Sequence, residues 1–231
     1  MYKVSLLEIK CIFKLECIYE CKGWVRIYLN IKKVIDFVFA LLGLFILLPI
    51  FLVIVIAIKV DSKGPVMFKQ KRVGINVTYF NILKFRTMRI DTPKDAPTHL
   101  LENPEQFITK VGKFLRKTSL DELPQLINIL CGHMAIIGPR PALWNQYDLI
   151  CERDKYGANN IRPGLTGWAQ VNGRDELSIE EKAKLDGEYV AKMSFLMDMK
   201  CFFRTITSVM HSEGVVEGGT GQLSKKLTAK K

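Results

Sequence analysis

Residues 37–58, FVFALLGLFILLPIFLVIVIAI, carry no charged side chain anywhere along their length. As a helix rising ~1.5 Å per residue the run is roughly 33 Å long, enough to reach across the hydrocarbon of a bilayer. It is longer than the apolar core of a secretory leader and lacks a small-residue cleavage site. Two features set it apart from a simple crossing. Pro49 falls in the middle, where it removes a helical hydrogen bond and bends the axis. Both flanks are basic, with Lys22, Arg26, Lys32 and Lys33 ahead of the run and Lys59, Lys63, Lys69, Lys71 and Arg72 behind it. Positive charge marks the cytoplasmic side, so a run positive at both ends fits a helix that enters, bends at Pro49 and returns. The other reading is one ordinary anchor helix with a proline in it. Asp36, at the entry, is expected either at headgroup level or paired with a nearby lysine.

The rest of the chain is long enough for a core of its own. Of 231 residues, 48% are hydrophobic, which excludes a disordered chain. Thirty-four basic against 23 acidic residues give +11, a balance that calls for a polyanionic partner: nucleic acid, anionic lipid or a phosphorylated substrate. No nucleic-acid-binding motif appears, and nucleic acid does not explain the apolar run. The six cysteines include no C-x-x-C pair, so neither a zinc site nor a disulfide framework is signalled, and buried or interfacial structural cysteine is expected. Residues 1–30 mix apolar and charged residues with a loosely helical period, fitting either a helix on the membrane surface or an over-long start.

After the run, VMFKQKRV and VTYFNILKF flank Gly74-Ile75-Asn76 and predict two short strands joined by a turn. DTPKDAPTHL reads as a polar loop. Asn103-Pro104-Glu105 opens a predicted helix with Phe107, Ile108, Val111, Phe114 and Leu115 on one face. That helix leads to TSLDELPQLINIL, 118–130, where Asp121 and Glu122 stand side by side. Ser119-x-x-Glu122 fits a capping box, and Pro124 belongs to a first turn, so a helix is expected from about Asp121–Leu123 with Leu123, Leu126, Ile127 and Leu130 on its core face. A helix N-terminus favours ionised carboxylates, but capping needs only one of the two. Next, Gly138-Pro139-Arg140-Pro141 makes a stiff turn presenting Arg140, either to solvent or to a ligand. The stretch 161–174, IRPGLTGWAQVNGR, offers Arg162, Arg174, Gln170 and Asn172 around Trp168. It suits a nucleotide or sugar diphosphate, or equally a packed connector with Trp168 in the core. Ser178-x-x-Glu181 opens a further helix, 195–210 is an apolar helix for core or membrane surface, and the end reads as a flexible basic tail.

Four stretches together resemble the bacterial sugar transferase family, the small monotopic phosphoglycosyl transferases: Lys84-Phe85-Arg86-Thr87-Met88, Ser119 to Gln125, Gly138-Pro139-Arg140-Pro141, and Arg162 to Trp168 continuing to Gly173-Arg174. The likeness covers about residues 31–215, in the expected order, behind the expected proline-broken apolar segment. It implies an α+β fold: a small, mainly helical catalytic domain with short β-hairpin elements, anchored by an N-terminal re-entrant, proline-kinked membrane helix. The domain divisions that follow are an N-terminal extension (1–30), a membrane-inserted hairpin helix (31–60), a cytoplasmic catalytic domain (61–213) and a flexible basic tail (214–231).

The resemblance also implies transfer of a phosphosugar from a UDP-sugar to polyprenol phosphate with release of UMP. Asp121 is then the nucleophile and part of a Mg²⁺ site, and Glu122 its dyad partner. Arg116, Arg140, Arg162 and Arg174 are the candidate phosphate-binding residues, and Pro49 the membrane bend. The expected partners are the UDP-sugar, polyprenol phosphate, the lipid bilayer and, as one arrangement, a homodimer, with no nucleic acid. The expected location is the bacterial cell membrane, with catalysis on its cytoplasmic face. Departures from the family pattern are Leu48 where many members have Ser before the proline, and His133 and Ala135 where many read Asp and Ser. A non-catalytic membrane-surface scaffold for glycan assembly is the alternative.

Overall fold

In a computed structural model, which describes residues 23–92, 104–173 and 176–211, the apolar run is the middle of one 39-residue helix, α1 (Gly23–Asp61), with Pro49 inside it. At ~1.5 Å per residue α1 is about 58 Å long. It is the helix among the described residues that is long and apolar enough to cross a membrane. It starts at Gly23, ahead of residue 31. The extension before Gly23 and the tail from 212 onward lie outside the described residues.

One stripe of α1 faces the rest of the protein along nearly its whole length. Tyr28 and Leu29 pack against a cluster of Trp168, Tyr189, Met193, Met197 and Cys201. Ala40, Leu44 and Leu47 meet Phe80, Ile82, Leu126, Ile129 and Met134. Past Pro49, Phe51, Ile54 and Ile58 meet Phe85 and Leu115. These positions recur at three- and four-residue steps, the period of a single helix face. The opposite face stays bare: Phe39, Phe45, Ile46, Leu52 and Val53 are all exposed, Phe45 by 78%. Such a surface has no place in water.

The expected strand–turn–strand is present as β1 (Met67–Val73) and β2 (Tyr79–Phe85), antiparallel with Met67 opposite Phe85 and Val73 opposite Tyr79. The following helix begins later than the sequence suggested. A 3₁₀ turn covers Pro104–Phe107, and α2 (Lys110–Lys117) starts from Thr109, whose hydroxyl accepts from the Gly112 amide. Leu115 is buried as expected, but Phe114 is exposed, since the inward stripe of α2 runs through Val111, Gly112 and Leu115 and leaves Phe114 to one side. A short α3 (Gln125–Leu130) follows. Its buried face holds Leu126 and Ile129 together with Gln125 and Asn128; Leu123, Ile127 and Leu130 are only half-buried. Asn128 is inside because its side chain splices onto β2, accepting from Leu83 N and donating to Asn81 O, both at 2.9 Å.

β3 (Ala135–Ile137) and β4 (Gly164–Thr166) form a parallel pair that hydropathy did not reveal, since each is three residues long. Between them runs α4 (Tyr147–Asp154), and α5 (Ile179–Ala191) and α6 (Phe195–His211) close the chain. α5 carries the capping box read from the sequence, with Ser178 and Glu181 exchanging hydrogen bonds. The fold is therefore mixed but mainly helical, with two small sheets among the described residues.

Lys32 of the basic flank is 7% exposed and paired with Asp36 at 3.8 Å, one of the two expected places for that acid, and with Asp198 of α6. Tyr28 and Tyr189 donate to the same Asp198 carboxylate, each at 2.6 Å. A charge enters an apolar junction only with such partners. Cys201 is buried and Cys151 half-buried, while Cys131, just past the last turn of α3, is exposed.

Candidate active site

The stretch Lys84 to Thr87 sends four side chains to four jobs. Phe85 is buried edge-on against Phe51 of α1, their centroids 5.2 Å apart. Arg86 is buried and donates at 2.8 Å to the carbonyls of Ser62 and Lys63 and to the Ser62 hydroxyl, tying down the end of α1. Thr87 Oγ1 accepts from Arg116 Nε at 2.9 Å. Lys84 reaches the carboxylate pair: its Nζ lies 2.6 Å from Glu122 Oε1 and 3.7 Å from Asp121 Oδ2. In the sequence Lys84 belongs to a motif and is not among the expected site residues. The signal was its place at the end of a strand bordering the dyad, a contact invisible without the fold.

Asp121 and Glu122 sit on a 3₁₀ turn (Leu120–Glu122), not inside a regular helix, and the expected capping box is absent. Ser119 takes the left-handed conformation (φ 57°), so its hydroxyl makes no cap. A non-glycine residue held there costs of order 1–2 kcal/mol, a strain that survives where the surroundings fix it. Its effect is to turn both acids toward Lys84 and Arg140. The Arg140 Nη2 lies 3.0 Å from Glu122 Oε1, so this one carboxylate oxygen meets two cations.

The two acids are therefore unequal. Burial works to raise the Glu122 carboxyl, but Arg140 and Lys84 overcome it and hold it far below the usual carboxylate range. Asp121, 8% exposed, goes the other way. Burial, with the Glu122 charge added, outweighs Lys84, Arg116 and Arg140 and raises it. The expected helix-dipole support for ionisation is thus replaced by a split: Glu122 stays charged, and the Asp121 carboxylate is the more basic of the two. Arg72 joins from β1. Burial and the Arg140 charge bring its guanidinium down to about 9 against the pull of Glu122, which leaves it charged at neutral pH. Lys84, Arg72, Arg116 and Arg140 thus act on two carboxylates. The surplus of positive charge suits a diphosphate.

Among the described residues no group of three or more His, Cys, Asp or Glu is arranged to hold a metal. Mg²⁺ does not require one, since it commonly takes one or two carboxylates and completes its shell with water and substrate phosphate. Asp121 fits that pattern, whereas Glu122 Oε1 is engaged by two cations.

Of the other expected site residues, Arg162 lies beside Gly132, where a Cβ would come within 3.4 Å of its Nη2, and its charge acts on Asp36 of α1. It stands apart from the dyad's ion-pair set. Arg174 lies outside the described residues. Trp168 resolves to the packed reading: it is buried, donates to Glu188 Oε2 at 3.0 Å, and carries Lys200 and Arg204 over its ring. His133 is exposed and stacks on Phe80, centroids 5.7 Å apart.

The sequence matches the family profile described as bacterial sugar transferase over residues 27–212. It is 42% identical over 166 residues to an uncharacterized sugar transferase, EpsL, of Bacillus subtilis (strain 168), covering 72% of this chain and 79% of the relative. To the exopolysaccharide production protein ExoY of Sinorhizobium fredii it is 35% identical over 197 residues, 79% of this chain and 87% of the relative. To the UDP-glucose:undecaprenyl-phosphate glucose-1-phosphate transferase of Escherichia coli (strain K12) it is 40% identical over 184 residues; these cover 76% of this chain but only 39% of that longer relative. With a carboxylate dyad under a cationic cluster, beside a bare apolar helix, this chain belongs to the bacterial sugar transferase family.

Proposed function

We propose that this protein transfers a phosphosugar from a UDP-sugar to a membrane polyprenol phosphate, releasing UMP, as the first membrane step in building a glycan such as an exopolysaccharide or capsule. The observation that carries the reading is the Lys84–Asp121–Glu122–Arg140 cluster, supported by relatives whose names include undecaprenyl-phosphate glucose-1-phosphate transferase. An Asp121 oxygen attacks the sugar-bearing phosphorus, and the bond to the bridging diphosphate oxygen breaks, so UMP leaves with that oxygen. A phosphosugar-aspartyl intermediate remains. An oxygen of polyprenol phosphate then attacks the same phosphorus, frees the Asp121 carboxylate and forms the polyprenol diphosphate sugar. Glu122 fixes Lys84 and Arg140 where charge grows on the phosphoryl oxygens. Mg²⁺, held partly by Asp121, would neutralise the diphosphate.

The same reading makes α1 a re-entrant helix bent at Pro49, in the bacterial cell membrane with the catalytic domain on the cytoplasmic face. Its support is that residues on both sides of Pro49 pack on one domain, so neither half is free to carry the other to the far side. The intact dyad and its cations weigh against a non-catalytic scaffold. UMP release from a UDP-sugar panel, with polyprenol phosphate and Mg²⁺, tests the reading. Asp121→Ala is expected to abolish release and Glu122→Ala to lower it by on the order of 10²-fold or more. Release by Asp121→Ala at the native rate would overturn the reading.

A further inference from the structure

Arg140 meets Glu122 through its side chain, but its backbone is held from the opposite direction. Three carbonyls of the Gly138–Pro141 turn each accept from a named donor. Pro139 O accepts from Gly164 N at 2.8 Å. Pro141 O accepts from Arg72 Nη1 at 3.0 Å. Arg140 O accepts from Arg153 Nη1 at 2.9 Å. Arg153, near the end of α4, is itself locked by Asp186 of α5, with Nε and Nη2 at 2.8 and 2.6 Å from Asp186 Oδ2. Both side chains are almost fully buried, at 6% and 1% exposure.

A buried ion pair replaced by apolar residues commonly leaves a protein no less stable, so this pair is not explained by stability alone. Its geometry offers a specific use. A shallow recess lined by Pro139, Pro141, Arg153, Asn159, Ile161 and Pro163 lies against the turn. The hydrogen bond from Arg153 bridges that side.

We propose that Arg153 and Asp186 are positioning residues for the transfer reaction: the pair fixes the Arg140 carbonyl, and through it the height of the Arg140 guanidinium over Glu122 and the substrate diphosphate. This rests on the transferase reading given above. Displacing a charge-stabilising group by an ångström costs on the order of 10²-fold in rate, so loosening one of the turn's several ties is expected to lower kcat by roughly 10-fold. KM for the UDP-sugar should move less, because the misplaced charge matters most where charge develops.

The test pairs hydrogen exchange with kinetics on the full chain. Arg153→Lys keeps a cation opposite Asp186 but cannot also reach the Arg140 carbonyl. The double variant Arg153→Met/Asp186→Leu keeps the interior filled and removes the donor. In both, amide exchange is expected to quicken in peptides covering 138–143 and to stay native in those covering 110–117. The kcat should fall about 10-fold, and in an Arg140→Lys background the further fall should be less than about 2-fold, since both changes act through one group. Unchanged exchange over 138–143 would overturn the proposal. So would a kcat loss that multiplies undiminished on top of Arg140→Lys, the behaviour of a merely structural pair. If the wild-type protein turned over no UDP-sugar at all, the transferase reading would fail, and the exchange arm would still decide whether the pair holds the turn.

Discussion

Two Ser-x-x-Glu patterns in this chain look alike in sequence and differ in fact. Ser178 and Glu181 form a true capping box, while Ser119, three residues before Glu122, is left-handed and caps nothing. The consequence is measurable. Ser178→Ala should lose about 1 kcal/mol of stability, the usual value of a cap, whereas Ser119→Ala should stay within about 0.5 kcal/mol of wild type. Thermal unfolding in one detergent checks both, and equal losses would contradict the geometry. The reason the pattern misled at Ser119 is electrostatic: Lys84 and Arg140 draw Glu122 away from the cap amide it was expected to bind. The acids themselves and Arg140 were legible, because adjacent carboxylates and a proline-braced arginine are local features. Lys84, Arg72, Arg153 and Asp186 were not, since each matters through a partner more than 30 residues away.

At the scale of elements, the motifs with most glycine turn out to be places where backbones touch. A Cβ on Gly164 would stand 2.1 Å from Gly138 N, and one on Gly167 would stand 2.0 Å from Gly138 O. The β3–β4 pair and the Arg140 turn exist only because these positions are bare. Gly164→Ala is therefore expected to destabilise by several kcal/mol, as overpacking against rigid backbone does, and to remove activity with it. Gly43, inside α1, meets only the tip of Leu126 at 3.4 Å, so Gly43→Ala should be tolerated and gain up to about 1 kcal/mol of helix propensity. A melting curve that ranked the two the other way would refute this account of the motif. The sequence showed the hairpin β1–β2 through its alternation and turn. The parallel pair stayed hidden because three-residue strands leave no period to read.

For the molecule as a whole, α1 is as much a wall of the domain as an anchor. Three apolar clusters lose one side without it, and Asp198 loses Lys32 and Tyr28. A chain begun at Ser62 should thus fail to give a monodisperse folded protein, with or without detergent, as read by size exclusion and circular dichroism. A well-folded, soluble fragment would show that α1 only tethers. Hydropathy revealed that the run is apolar on all sides, but not that one stripe packs on protein while the other is bare. Both stripes use the same residue types, so the division becomes visible only in three dimensions.

If Asp121 carries the phosphosugar, the intact mass of the protein will show it. Detergent-purified protein would be incubated with Mg²⁺ and a panel of UDP-sugars, without lipid, beside Asp121→Ala. The expected result is a gain of one phosphosugar with one donor, accompanied by UMP and absent from the variant, then cleared on adding polyprenol phosphate. UMP release that requires polyprenol phosphate and never leaves an adduct, or an adduct that persists in Asp121→Ala, would contradict it.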